Sequence, residues 1–411
     1  MHKLITFLGL KAQDTLYELD GQKQSGRVFA EALYHLVPFD QMLVCATPDA
    51  KRDVYPILLA LNDPRLVLVP IPTGKTTEEM WRIFDIIVDQ VNEGDEVTFD
   101  ITHGLRSLPF LVFLFAAYLR SAKNIHLRAV YYGALELAKE TGVAPVINLT
   151  EFVGILDWLT ASDEFIQHGD SRRLANLLRS QRDRLARQAG GGHSFPAGEQ
   201  LNGVASVLEE ISLGLSVIRP EQVMTAVDTY PAKLKMAADT LQELPATHPF
   251  ILLLERITDT YRDMALKDPR EPESIWQSLA CERTMIRWYV GHEHYVQSVT
   301  LAREWLVSWL MAYLGYDQLT SEVDRKQVED RLNGDVIQQQ SGKKQKKPLK
   351  LPAPAPNYES ALALWSQIRE LRNDIDHAGM RDDPQKASSL HRNIMKLPDA
   401  LDAFPLQATE S

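Results

Sequence analysis

Three side chains near the C-terminal end stand at a spacing that could do chemistry: Arg372, Asn373 and His377, within Leu371-Arg372-Asn373-Asp374-Ile375-Asp376-His377. Histidine titrates near neutral pH and can move the protons of 2′-hydroxyl attack and 5′-oxygen departure in RNA cleavage. Arginine can hold the scissile phosphate and offset the charge that develops on it. Asn373 would orient the phosphate or satisfy backbone groups. The nucleophile belongs to the RNA, so neither a protein Ser or Cys nor a metal is required. Five residues on a regular helix turn through about 140°, so Arg372 and His377 do not share one face. Either the helix loosens before His377, or both groups line a wider cleft. A two-fold dimer would bring two copies of each to one composite site. The competing reading is a surface Arg paired with Asp374 or Asp376, beside an incidental His.

A second constellation lies in the N-terminal third, at Asp100-Ile101-Thr102-His103-Gly104-Leu105-Arg106. Thr102 and His103 offer hydrogen bonds, Gly104 lets backbone approach a ligand, and Arg106 is a cationic fork for phosphate. A following helix start would add amide N–H groups. The competing reading is a tight turn whose Thr caps the next helix. Gly9-Leu10, after the first strand, is the other loop with suitable chemistry.

These residues need elements to hold them. Over residues 1–150, apolar strand candidates (Lys3–Leu8, Gln41–Ala46, Arg65–Ile71, Glu96–Ile101, Ile125–Tyr132) alternate with helical patterns (Arg27–Leu36, a helix opened by Pro48, Thr77–Val91, Ser107–Leu119). The segment after Gly9 reads as a polar loop. Strands this apolar, each followed by a helix, imply a parallel sheet covered on both faces. The expected fold is therefore α/β plus all-α: a Rossmann-like doubly wound domain, then a helical C-terminal region. Such sheets bind ligands at the carboxyl ends of their strands, where the winding reverses.

The strand signal ends near Glu151. A helical connecting region is expected over 151–270, with an Arg-rich stretch at Arg172–Arg187 and a Gly190-Gly191-Gly192 loop. Arginines so clustered are more often a solvated face than a nucleic-acid surface. Residues 271–411 form a second helical domain, interrupted at 338–356 by a Lys- and Pro-rich insertion of exposed character. Its last strong helix begins around Asn357, an apt N-cap, with Ala361, Leu364, Trp365, Ile368, Leu371 and Ile375 as the apolar stripe and Gly379 as the stop.

Composition narrows the function classes. At 411 residues the chain is too long for one ordinary core. A net charge of −11 demands a local basic groove for any nucleic-acid contact. Cys45 and Cys281 read as buried, reduced thiols. The longest apolar run, Leu108 to Tyr118, falls short of the ~20 residues that span a membrane. With no signal-peptide layout at the start, a cytoplasmic location is expected. Thr73-Gly74-Lys75-Thr76 imitates a P-loop, but the required earlier Gly is Val69. His292-Glu293-His294 has no compact third ligand for a metal, and no dinucleotide-type glycine pattern follows the first strand.

The segment Asp100–Arg106 after the fourth strand, with Phe7-Leu8-Gly9 and Leu16-Tyr17-Glu18, resembles the CARF domains of CRISPR-associated proteins. The C-terminal Arg372-Asn373-x-x-x-His377 on a helical background resembles the HEPN ribonuclease motif. Together they resemble the CARF–HEPN effectors of type III CRISPR systems, in both ends of the chain. That resemblance implies a homodimeric, metal-independent endoribonuclease acting on single-stranded RNA. Its allosteric activator would be cyclic oligoadenylate, with no other cofactor, bound at Gly9, Leu10, Thr102, His103, Gly104, Leu105 and Arg106. Arg372 and His377 would be catalytic, Asn373 supportive, and the product end a 2′,3′-cyclic phosphate. The alternative is a nucleotide-sensing regulatory or scaffold protein whose helical domain does not catalyse.

Overall fold

The computed structural model describes residues 1–104, 107–188, 196–243, 248–341 and 357–406. The chain divides into two compact units, Met1–Asp157 and Trp158–Ser411, with the boundary inside one helix, Thr150–His168.

The first unit is one eight-stranded sheet with helices on both faces. Its elements are β1 (His2–Phe7), β2 (Thr15–Leu19), β3 (Gln22–Gly26), α1 (Phe29–Leu36), β4 (Gln41–Ala46), α2 (Pro48–Asp53), α3 (Tyr55–Leu59) and β5 (Leu66–Pro70). They continue with α4 (Thr77–Asp89), β6 (Glu96–Asp100), α5 (Leu108–Lys123), β7 (His126–Gly133), α6 (Ala138–Thr141), β8 (Val143–Asn148) and the start of α7 (Thr150–His168). Alternation along the strands splits the core in two. Leu4, Met42 and Val44 face the α1–α3 layer, while Ile5, Phe7, Leu43 and Cys45 face α4 and α5. A strand buried on both faces carries apolar side chains toward both layers, which is why the sequence shows runs rather than alternation.

Strand order is β3-β2-β8-β7-β6-β1-β4-β5. The five strands expected from the sequence form the parallel part, β7-β6-β1-β4-β5, and winding reverses between β1 and β6. The rest of the sheet corrects the all-parallel expectation. The segment read as a polar loop is the β2–β3 hairpin, turning on Asp20 and Gly21 at φ 50° and 82°. Two consecutive positive φ values suit a tight primed turn, and Asp-Gly is a sequence made for it. β8 runs antiparallel to β7, because a parallel return needs a crossover of a dozen or more residues and only 134–142 lie between them.

The second unit is helical: the remainder of α7, then α8 (Arg172–Gln188), α9 (Pro196–Ser216), α10 (Pro220–Glu243), α11 (His248–Tyr261), α12 (Ile275–Gly291), α13 (Tyr295–Tyr313), α14 (Glu322–Ser341), α15 (Tyr358–Asp376), α16 (Ala387–Ile394) and α17 (Leu397–Asp402). One continuous core runs from Trp158 to Phe404. Packing shows no break at the 270/271 division drawn from the sequence. The Tyr289 hydroxyl donates to Leu215 O at 2.6 Å, and the Tyr261 and Trp288 rings lie 5.9 Å apart. Composition shifts mark where chain patterning changes, whereas a domain boundary requires a gap in contacts. Gly190-Gly191-Gly192, Leu105, Arg106 and the insertion from 342 to 356 lie outside the described residues.

On α15 the expected stripe is buried from Ala361 to Leu371, with Ala361, Leu364, Trp365, Ile368 and Leu371 each at most 5% exposed, while Ile375 at its end is half-buried. Asn357 departs from its expected capping role. It sits at φ 61°, and its side-chain amide donates to Ala403 O at 2.8 Å instead of accepting from the first turn. Among the described residues only two short helices, of 8 and 6 residues, follow α15.

Candidate functional site

Two regions carry the residues singled out by their chemistry, one in each unit. In the first, the loop after β1 meets the loop after β6 at the point where winding reverses. A Cβ built on Gly9 would stand 3.4 Å from His103 Cβ and 3.8 Å from Gly104 N. Gly104 has φ +107°, outside the range L-residues favour, and a Cβ there would fall 2.7 Å from Leu108 Cδ1. Gly104 is therefore required by its backbone conformation, whereas a side chain at Gly9 would meet only ordinary contacts. Leu10 is 62% exposed.

Thr102 and His103 are engaged with the scaffold. Thr102 Oγ1 accepts from the Gly133 N–H at 2.7 Å, tying the loop to the end of β7. It does not cap α5: Ser107 stands at that helix's N-cap position and makes no side-chain cap bond. The Phe29 N–H, at the first turn of α1, donates to His103 Nε2 at 3.3 Å. An imidazole that accepts through Nε2 carries its proton on Nδ1 and is neutral. Burial likewise holds His103 below its ordinary value, against the attraction of Asp100.

Asp100 closes this arrangement from beneath. It is fully buried; its carboxylate accepts from Thr6 Oγ1 at 2.6 Å and from Thr102 N at 2.8 Å. Burial raises its affinity for a proton, while His103 and the two threonines oppose that. Tyr17 lies beside it, packed on Phe29 with rings 4.8 Å apart. The sequence placed Asp100 in the motif without assigning it work. A carboxylate closing an apolar strand, and Thr6 inside another, were the available signals. The arrangement is a turn at a crevice in which the Thr102 hydroxyl is spent on Gly133 and Asp100, leaving His103 Nδ1–H as a donor beyond the scaffold bonds.

In the second unit Arg372 and Asn373 lie in the last turns of α15, and His377 is its C-cap at φ −90°. The helix stays regular through Asp376, so of the two geometries open from the sequence, loosening ahead of His377 is not seen. His377 N donates to Asn373 O at 3.2 Å. All three side chains are exposed. Arg372 Nε pairs with Asp376 Oδ2 at 3.2 Å. Asp374 faces inward and accepts from Gln385 N at 3.3 Å, with Arg381 at 3.7 Å. Exposed i, i+4 pairs contribute about 0–1 kcal/mol, so a phosphate can replace Asp376 at little cost.

The remaining motifs resolve into structure. Thr76 caps α4 through the Glu79 N–H at 3.2 Å, and Glu79 accepts from Lys75 N at 2.8 Å, so the P-loop imitation is a capping device. His292 and His294 both stack on Trp288, and each ring bonds a backbone carbonyl. No group of metal-ligating side chains occurs among the described residues. On α8, Arg172, Arg173, Arg179 and Arg182 all pair with carboxylates. Cys45 and Cys281 are buried and free, their thiols pushed up to about 12 and about 11. No helix among the described residues is long and apolar enough to cross a membrane.

Comparison with known proteins adds a third region. A family model described as "CRISPR-associated protein MJ1674, second domain" matches residues 154–268. The CRISPR-associated protein MJ1674 of Methanocaldococcus jannaschii is 34% identical over 119 residues, covering 28% of this chain and 19% of that protein. The match thus spans about a fifth of that relative's length. A solved structure of Enterococcus italicus Csm6 bound to cyclic hexa-2′-fluoro-hexa-dAMP is similar with a TM-score of 0.45 and 10% identity, over 98% of this chain and 93% of that one. The segment matched in sequence is the helical middle, where residue chemistry alone had offered least.

Proposed function

We propose that this chain is a ligand-controlled endoribonuclease of CRISPR defence, in which the first unit senses cyclic oligoadenylate and the second cuts single-stranded RNA. The observation that carries the reading is the meeting of Gly9 with His103 and Gly104 at the winding reversal of the sheet. Open α/β sheets take their ligands at that crevice, and two glycine-lined loops leave backbone open to a nucleotide there. The similarity of residues 154–268 to a CRISPR-associated protein supports the biological setting.

In this reading His377 takes the 2′-hydroxyl proton as the 2′-oxygen attacks phosphorus. The His377 of a second copy gives a proton to the departing 5′-oxygen, leaving a 2′,3′-cyclic phosphate. Arg372 exchanges Asp376 for the scissile phosphate, and Asn373 steadies it. The two-fold partner is needed because one chain presents a single such set on an exposed helix end. The exposed stripe Phe110, Leu114 and Tyr118 on α5 suits self-association of the first unit. Activator binding shifts the protein toward the cutting state only as far as it binds that state more tightly; a near-complete switch takes about 10⁴-fold.

A second reading keeps the sensor but makes the helical unit a non-catalytic scaffold. The Arg372–Asp376 pair favours it, since that arginine is already satisfied. Labelled single-stranded RNA, incubated with the protein and cyclic oligoadenylates of different ring size, separates the two. Cleavage that depends on the activator and is lost in His377→Ala supports the ribonuclease. Activator binding without cleavage supports the scaffold, and neither binding nor cleavage removes both.

A further inference from the structure

A cavity of about 660 Å³ opens in the second unit among the turn from α9 to α10, the helices α12 and α13, and the start of α14. Its walls follow helical spacing. Ile275, Ser278 and Glu282 come from one face of α12, and Leu301 and Glu304 from one face of α13, with Leu319 from the loop that follows. The lining is thus apolar with a few charged groups set into it, the usual make-up of a small-molecule site.

Most of those charges are answered within the fold. Glu221 is paired with Arg270 at 2.7 Å and Glu304 with Arg325 at 2.6 Å. Arg325 gives its remaining Nη–H groups to Ser308 Oγ, Leu319 O and Glu304 O. Arg219 turns to the carbonyls of Val217 and Ile218 in its own turn. Glu282 is the exception. Arg325 acts on it through charge at a distance, and among the described residues no group bonds its carboxylate. Its oxygens are not sealed in the core with the other unpartnered atoms, so they open onto the cavity they line. Burial pushes this carboxyl up to about 7 against the pull of Arg325 on α14, and the charges of Glu221 on α10 and Glu304 on α13 add to the rise. A carboxylate held against apolar walls is costly without a counter-charge. Of the charges left over in the lining, Glu282 and Asp317 outnumber Arg219.

We infer that this cavity binds a small organic cation, its ammonium group on the Glu282 carboxylate and its hydrocarbon body against Ile275, Leu301 and Leu319. No three metal-ligating side chains converge there among the described residues, so the cation is organic rather than a metal ion. The volume falls in the ~300–1,000 Å³ range of small-molecule sites. The site shares no residue with the switch-point loops or with Arg372 and His377, and stands whether or not the ribonuclease reading does.

The test is isothermal titration calorimetry of the full chain with putrescine, against sodium chloride of matched ionic strength and against butanediol as a neutral molecule of the same length. Saturable binding of putrescine alone is the expected result. Its affinity should rise roughly tenfold from pH 6 to pH 8 as Glu282 ionises, because the amine stays charged throughout that range. Glu282→Gln should weaken binding at pH 8 by roughly tenfold or more and flatten the pH dependence. Because the carboxylate makes no bond in the fold and its charged form is disfavoured there, the unliganded variant should melt at pH 8 at the wild-type temperature or above. The proposal is overturned if putrescine binds no better than the salt control, or if butanediol binds equally well. Undiminished binding by Glu282→Gln or an affinity that does not change with pH overturns it too. So does a lowered melting temperature of the unliganded variant, which would make Glu282 a structural group.

Discussion

Replacing Gly104 by alanine tests whether the turn after β6 is built for close approach. At φ +107° an L-residue is held in a sparsely populated conformation, costing about 1–3 kcal/mol. The new Cβ also falls 2.7 Å from Leu108 Cδ1 and 3.3 Å from Phe7 Cβ. The Leu108 methyl is the far end of a side chain and can swing, although it is 1% exposed in the core. Phe7 Cβ is fixed to β1, so the steric part sits near the low end for overpacking, about 1 kcal/mol. The sum is about 2–4 kcal/mol, a large share of an ordinary stability of about 5–15 kcal/mol. Urea unfolding followed by circular dichroism gives the total. Hydrogen exchange over 96–119 should show the loosening confined to β6, the turn and α5. Combining Gly104→Ala with Leu108→Ala separates the two parts, since removing the methyl relieves the clash and leaves the backbone strain. A Gly104→Ala protein within about 0.5 kcal/mol of wild type, with unchanged exchange, would refute the argument, that margin being ordinary for surface changes.

Other expectations follow from single contacts. Thr102→Val leaves the Gly133 N–H without its acceptor and should cost about 1–3 kcal/mol, while Thr102→Ser should restore most of it in the same urea titration. His103 has a proton affinity held below its ordinary value of 6.5 by burial. Its contribution to stability is thus present above 6.5 and is lost as the pH falls through that value toward the folded one. The stability difference between wild type and His103→Gln should therefore shrink between pH 7.5 and 5.5; a constant difference would remove the neutral-imidazole assignment. For Asp100 the folded value is raised, so its contribution is present at low pH and lost as the pH climbs through that value. Asp100→Asn should consequently be better tolerated at alkaline than at acid pH, read as the melting temperature against wild type. Asp376→Asn frees Arg372 of its partner and should change stability by about 1 kcal/mol or less, while activator-dependent RNA cleavage persists. Abolished cleavage in that variant would give Asp376 a role beyond pairing.

The alternation of apolar runs with helical stripes was enough to determine the five parallel strands and the buried face of α15. Burial on both faces, or on one stripe, leaves its period in the residues themselves. The two glycines, Thr102, His103 and the Arg372–His377 spacing were also legible, because unusual residue types stood beside element ends. Asp20-Gly21 was legible in principle as a hairpin turn, and polarity around it hid the signal. Tertiary structure alone decided the rest. That Gly9 meets His103, that Thr102 serves Gly133, and that His103 Nε2 is spent on α1 depend on strands far apart in the chain lying side by side. The absence of a packing break at 270 likewise follows from helices converging on one core, which no local pattern records. Ser171 and Trp288 make the point most simply: 117 residues apart in sequence, each is ordinary alone, and only folding buries the hydroxyl of one and the indole N–H of the other without a partner. Local chemistry is written residue by residue, but hydrogen-bond satisfaction is a property of neighbours, and neighbours are chosen by the fold.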